Sequence, residues 1–167
     1  FVINVAQYDV SKIIEWEFES GISDIETIHA LNSAAKKKNK TMKVHLNIDT
    51  GMSRFGCRAE DAITLAEAID DAENLKLEGL MTHYAFADDT SRDEETIHQT
   101  KAFKKIIKKC SDKGITPAWI HSANSSAAIR FDTTHTNMVR IGLAAYGMYP
   151  SEACKDKITL KLSLSLT

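Results

Sequence analysis

Polar residues with chemical potential gather at four places in this chain, each time where an apolar run ends. HLNIDTGMSRFG places Asn47, Asp49 and Thr50 at the end of an alternation, with Arg54 just beyond. EGLMTHYAFAD supplies Thr82, His83 and Asp88, HSANSSAAIRF supplies His121, Ser122, Asn124 and Ser125, and NMVRIGLAAYGMYP supplies Arg140 and Gly142. Ser125 and the residues after it read as a helix start, where free backbone N–H groups and hydroxyls bind anions. Simple N-capping by Asn124 or Ser125 is the competing reading. Gly142 permits close backbone approach to the same anion. Arg140, on a strand expected to be buried, must be paired or ligand-bound. Spacing alone therefore supports a phosphate-bearing ligand, and nothing sharper.

The elements that must position these residues follow from hydrophobic periodicity. Helices are expected over 10–16, from Ser23-Asp24 to about Lys38, 59–72, 94–113 and 125–130; Gly114 and Pro117 stop the fourth. Ile97, Phe103, Ile106, Ile107 and Cys110 should form its apolar side. Strands are expected around Phe18 and over 43–49, 77–84, 119–123 and 138–143. This strand–helix alternation implies parallel strands joined by crossovers, so the polar clusters fall at the carboxyl ends of parallel strands, where such folds bind ligands. The same context excludes an aspartic protease, an all-β fold, despite the Asp49-Thr50-Gly51 triplet.

In KVHLNID, Val44, Leu46 and Ile48 alternate with His45, Asn47 and Asp49. Both faces of a parallel sheet are covered, so the polar set faces a barrel interior near its mouth. His45, deep in the strand, reads as a satisfied core histidine; Asn47 and Asp49 serve either scaffold or ligand contact. Lys157–Leu166 alternates differently, like the first strand of an antiparallel β unit.

The chain has 167 residues, 43% hydrophobic and 26% charged, with formal net charge −2. That balance gives no electrostatic reason for a nucleic-acid or membrane partner, and no run is long enough to span a bilayer. Cys57, Cys110 and Cys154 lie far apart without metal-ligand spacing, which argues against zinc and for free thiols in a reducing cytoplasm.

Taken together and in order, HLNIDTGMSRFG, EGLMTHYAFAD, HSANSSAAIRF and NMVRIGLAAYGMYP resemble the alanine racemases, pyridoxal 5'-phosphate (PLP) enzymes of fold type III; SGISDIETIHAL resembles the segment preceding them. The resemblance covers nearly the whole chain. It implies a partial (β/α)8 TIM barrel over 1–150, about the last five strands, and the start of a C-terminal β domain over 151–167. It also implies a homodimeric cytoplasmic enzyme that interconverts L- and D-alanine for peptidoglycan.

Carried over residue by residue, Arg54 resembles the arginine on the PLP phenolic oxygen and near the substrate carboxylate. His83 resembles the histidine packed on the pyridine ring. Asn124, Ser125, Gly142 and Leu143 match the phosphate cradle, and Arg140 matches the arginine facing the pyridine nitrogen. A guanidinium does not readily give up its proton, which keeps the cofactor a weaker electron sink and favours racemization. Asn47 departs from the carbamylated lysine of many members; a bound anion such as chloride is one replacement. Asp49 is expected to order the turn that presents Arg54.

The two catalytic bases of the family, a lysine and a partner-subunit tyrosine, are expected upstream of Phe1 and downstream of Thr167, so no catalytic base is assigned here. The isolated chain is expected to be inactive. The alternatives are a racemase for serine or another small amino acid, a non-catalytic PLP-binding barrel protein, and a fragment that serves as an interaction module.

Overall fold

A computed structural model describes residues 10–163. Its centre is a parallel sheet built from β1 (Ser20–Ile22), β2 (Met42–Asp49), β4 (Leu75–Met81) and β5 (Trp119–His121), hydrogen-bonded in that order. The two-residue β3 (Cys57–Arg58) pairs with the end of β2, in register Ile48↔Cys57. The connections carry α2 (Ile25–Lys37), α3 (Ala62–Asp70) and α4 (Asp93–Asp112); α1 (Val10–Trp16) precedes β1 and α5 (Ser125–Arg130) follows β5.

Local chemistry accounts for these boundaries. Asp24 caps α2, its carboxylate accepting from the Thr27 N–H at 2.7 Å. Three acidic residues, Asp93, Glu94 and Glu95, occupy the first turn of α4, where the helix dipole favours them. Gly114 stops that helix at φ +81°, with open space around a would-be Cβ, so it is backbone freedom that the position requires.

The helices cover one face of the sheet. Val44, Leu46 and Ile48 are fully buried against Ile28, Leu31, Ala66, Ile69 and Phe103 in one continuous apolar core. The opposite face carries the polar set of β2, and His45 and Asn47 are buried there as well. Two-sided burial with one polar face is what the interior of a parallel barrel demands, and it makes partner geometry decisive.

The ends of α3, β4 and β5 fall within three residues of those expected over 59–72, 77–84 and 119–123, and other expectations differ in kind or in extent. The strand expected at Phe18 begins two residues later, and Phe18 is exposed. On α4 the buried stripe is Thr96, Gln99, Phe103, Ile106 and Cys110, while Ile97 is 43% exposed. An i, i+3, i+7 stripe from Thr96 leaves the neighbouring position about 100° around the helix, towards solvent. The strand expected over 138–143 shrinks to a single parallel bridge, Met138 to His121. The Asn137 and Arg140 N–H groups still bond to Ile120 and Ala123 carbonyls, but the chain turns at Gly142 into a 3-10 turn, Leu143–Tyr146.

Residues 158–163 form no strand. They are tied back by the Leu160 N–H on the Tyr149 hydroxyl (3.0 Å) and the Ser163 N–H on the Tyr146 carbonyl (3.1 Å). The rest of the strand expected over Lys157–Leu166 lies outside the described residues. Cys57, Cys110 and Cys154 are all buried free thiols. Among the described residues, no helix is long and apolar enough to cross a membrane, and no group of three or more His, Cys, Asp or Glu side chains could hold a metal ion.

Candidate functional site

The carboxyl ends of the strands converge on a cleft of about 350 Å³. It is lined by His83, Asn124, Ser125, Arg140, Gly142 and Leu143, together with Met52, Tyr84 and Asp88. His83, Asp88, Asn124, Ser125, Arg140 and Gly142, read from their places at strand ends, and Leu143, implied by the resemblance alone, thus share one wall. Asn47, Asp49 and Arg54 do not line it.

Asp49 closes β2. Its Oδ1 accepts three successive N–H groups, from Gly51 (2.8 Å), Met52 (2.9 Å) and Ser53 (3.1 Å). One carboxylate oxygen therefore gathers the whole turn, which includes Gly51 at φ +138° and Ser53 at φ +55°. Gly56 returns the chain at φ +117°, where a Cβ would lie 2.9 Å from the Ile48 carbonyl carbon. This close approach is what lets β3 pair beside β2 and leaves Arg54 exposed at the tip of the loop. Asn47 is buried on the interior face in register with Met81.

Gln99 was not legible as a site residue, yet it joins two strand ends. From α4 its Nε2 donates to the Thr50 hydroxyl (3.2 Å) and the His83 carbonyl (3.0 Å), and its Oε1 accepts from the Ala85 N–H (3.0 Å). Thr50 in turn shares a 2.7 Å hydrogen bond with Thr82. A buried polar residue within an apolar helical stripe was the available signal. Arg130 pins the same loop from the other side, through both Asp93 carboxylate oxygens (2.6 and 2.9 Å) and the Ala87 carbonyl.

At the α5 end of the cleft, Asn124 caps the helix, accepting from the Ala127 N–H at 2.9 Å. The capping reading of Asn124 is therefore realised, and Ser125 is left for other work. Its Oγ accepts the Gly142 N–H at 2.9 Å and the Ala144 N–H at 3.4 Å. With its lone pairs so engaged, the hydroxyl proton is left to donate towards the cleft.

Arg140 is the most constrained group. Nη1 donates to His121 Nδ1, and Nη2 donates to the Thr82 carbonyl (2.8 Å), the Ser122 carbonyl (3.2 Å) and His83 Nδ1 (3.2 Å). Burial lowers its pKa to about 10, so it remains charged at neutral pH. Burial, then the Arg140 and Arg54 charges, hold His83 down to about 4. Burial, then Arg140 and His45, hold His121 down to about 3. Both imidazoles are neutral at pH 7, as acceptors of guanidinium N–H bonds must be.

His121 continues inwards. Its Nε2 lies 2.8 Å from His45 Nδ1, with the rings edge-to-face and centroids 5.0 Å apart. The ring of His45 on β2 reaches β5 by crossing over Gly79 of β4; a Cβ there would sit 2.7 Å from His45 Cε1. His45 is thus a core histidine, buried and bonded across the sheet.

Residues 2–150 match the family model described as alanine racemase, N-terminal domain. The chain belongs to the alanine racemase family. An alanine racemase of Treponema denticola is 41% identical over 162 residues, which is 95% of this chain and 42% of that protein. Alanine racemase 1 of Oceanobacillus iheyensis is 33% identical, covering 95% of this chain and 42% of its own length. Among solved structures, an alanine racemase of Clostridium difficile 630, in complex with cycloserine, superposes with TM-score 0.89 at 30% identity, covering 95% of this chain and 44% of that one. The fold is accordingly the alanine racemase α/β fold, its parallel sheet part of a TIM barrel. The chain spans about two-fifths of the length of the relatives it matches.

Proposed function

We propose that this chain forms the phosphate and ring-nitrogen side of a PLP site in an enzyme that interconverts L- and D-alanine. The observation that carries the reading is the shared cleft wall of His83, Asn124, Ser125, Arg140, Gly142 and Leu143. The donor set fits the cofactor: Ser125 keeps a hydroxyl proton for an anion beside the Gly142 turn, and a fixed cation lies some residues away along the same wall. PLP, when bound, withdraws electrons from the substrate Cα and so makes its proton labile.

The chain's own residues set the terms for that chemistry. Arg140, held by four acceptors and charged at neutral pH, donates without surrendering its proton. His83, neutral, orients against Arg140 through Nδ1 and offers a flat face to an aromatic ring. Ser125, with Gly142 and Leu143, would hold the phosphate. Arg54, presented by the turn gathered on Asp49, would meet the phenolic oxygen and the substrate carboxylate. We place the start of a C-terminal β domain at 151–167, the working enzyme in the cytoplasm as a homodimer, and its product in D-alanine supply for peptidoglycan.

The test is turnover by the full-length protein with added PLP, measuring D-alanine formed from L-alanine beside the same assay with L-serine. Faster alanine turnover is expected. Preference for serine would move the substrate and keep the cofactor, and turnover of neither would leave a non-catalytic PLP-binding barrel protein. Because Asn47 supplies no negative charge near Arg54, activity is also expected to respond to chloride. Indifference to chloride would refute a bound anion at Asn47.

A further inference from the structure

A half-buried guanidinium still gains from a compensating charge, yet the four partners of Arg140 are two neutral imidazoles and two backbone carbonyls. The direction of the hydrogen bonds shows where the charge can come from. Guanidinium has only donors, so His121 Nδ1 must accept and its proton must sit on Nε2. That Nε2–H then donates to His45 Nδ1 at 2.8 Å. His45 in turn carries its proton on Nε2, which lies 3.4 Å from Glu19 Oε2. The Arg140 and His121 donors point the same way, and Glu19 stands in ion-pair contact with His45 at the far end.

The series crosses the sheet interior from its carboxyl-end mouth to its amino end. Glu19 immediately precedes β1, and Lys43 and Glu78 lie beside it at that end: Lys43 Nζ is 3.3 Å from Glu19 and 3.2 Å from Glu78. Aligned donors polarise one another, so a charge at one terminus strengthens the bond at the other. Gly79 is the positional requirement, since any side chain there would collide with the His45 ring.

We propose that Glu19 is the remote counter-ion of Arg140, coupled to it through His45 and His121, and acts as a positioning residue for the arginine that faces the cofactor. The cofactor role rests on the racemase reading; the coupling itself does not.

The test uses the full-length protein labelled with 15N-histidine, first without PLP. At pH 7 both rings are expected to be neutral, with the proton on Nε2. An Nδ1–H tautomer or an imidazolium at either ring overturns the coupling, and this measurement needs no variant. Glu19→Gln keeps an acceptor and removes the charge, and is expected to shift the His121 Nδ1 resonance. Glu78→Gln removes a neighbouring charge that makes no contact with His45 and acts on it only at longer range, and is expected to shift that resonance clearly less. No shift with Glu19→Gln, or equal shifts with both, overturns the proposal. With PLP added, Glu19→Gln is expected to raise the Kd for PLP about fivefold, the difference between a charge-assisted and a neutral series. An unchanged Kd overturns the positioning role. If the wild-type protein binds no PLP at all, the racemase reading fails, while the histidine spectra still decide the coupling.

Discussion

Replacing Gly79 with alanine would drive a methyl group into the His45 ring, with Cε1 at 2.7 Å and Cγ at 2.9 Å from the new carbon. The neighbour cannot simply swing aside, because its Nδ1 is bonded to His121 and the ring is fully buried. Overpacking of this kind costs about 1–3 kcal/mol. Displacing His45 leaves the His121 donor buried without its acceptor, a further loss of about 1–3 kcal/mol. Gly79→Ala should therefore destabilise the full-length protein by about 4 kcal/mol, measured by equilibrium denaturation. The decisive assay is a double-mutant cycle. In a His45→Ala background the same change should cost less than about 1 kcal/mol, since the obstructing ring is gone. A Gly79→Ala protein within about 0.5 kcal/mol of wild type, or one equally damaged in both backgrounds, would refute the reasoning.

Asp49→Ala should expose the Gly51, Met52 and Ser53 amides to exchange and cost about 1–2 kcal/mol, while Asp49→Asn, which keeps the acceptor, should retain most of their protection in hydrogen-exchange measurements. Gln99→Met keeps the volume but severs three bonds between strand ends, and should lower stability by about 2–3 kcal/mol in denaturant titration. His83 and His121 have folded pKa values of about 4 and about 3, below the ordinary value of 6.5. The unfolded chain takes up their protons first, so stability should fall as pH drops below 6.5, by up to about 1.4 kcal/mol per pH unit for each histidine. Denaturation midpoints that stay flat between pH 6.5 and 5 would contradict this.

The fold was legible where one physical pattern dominated. Asp24 before an apolar helical face, and alternation in Val44–Asp49, each specify an element locally, and both formed as read. The segment 138–143 did not, because its pairing is decided by Gly142 turning its N–H towards Ser125, a contact between residues 17 apart in sequence. The gathering of His83, Ser125 and Arg140 was legible through their common place at strand ends. Gln99 was hidden inside a helical stripe, and the bond between His45 and His121 was invisible because spacing along a chain carries no record of which strands become neighbours. Gly79 had no reading of its own until the ring that crosses it was known.

The three buried cysteines give this chain a set of native labels. Cys57 sits where β3 closes the Asp49 turn, its thiol pushed up to about 12 mainly by burial. Cys110 faces the core from α4, and Cys154 lies 3.7 Å from the Ser126 hydroxyl on α5. A thiol reagent can reach each only when its own neighbourhood opens. Timed alkylation followed by mass spectrometry would thus clock, in one unmodified sample, the opening of the arginine loop, the helix layer and the α5 side of the cleft as three separate events.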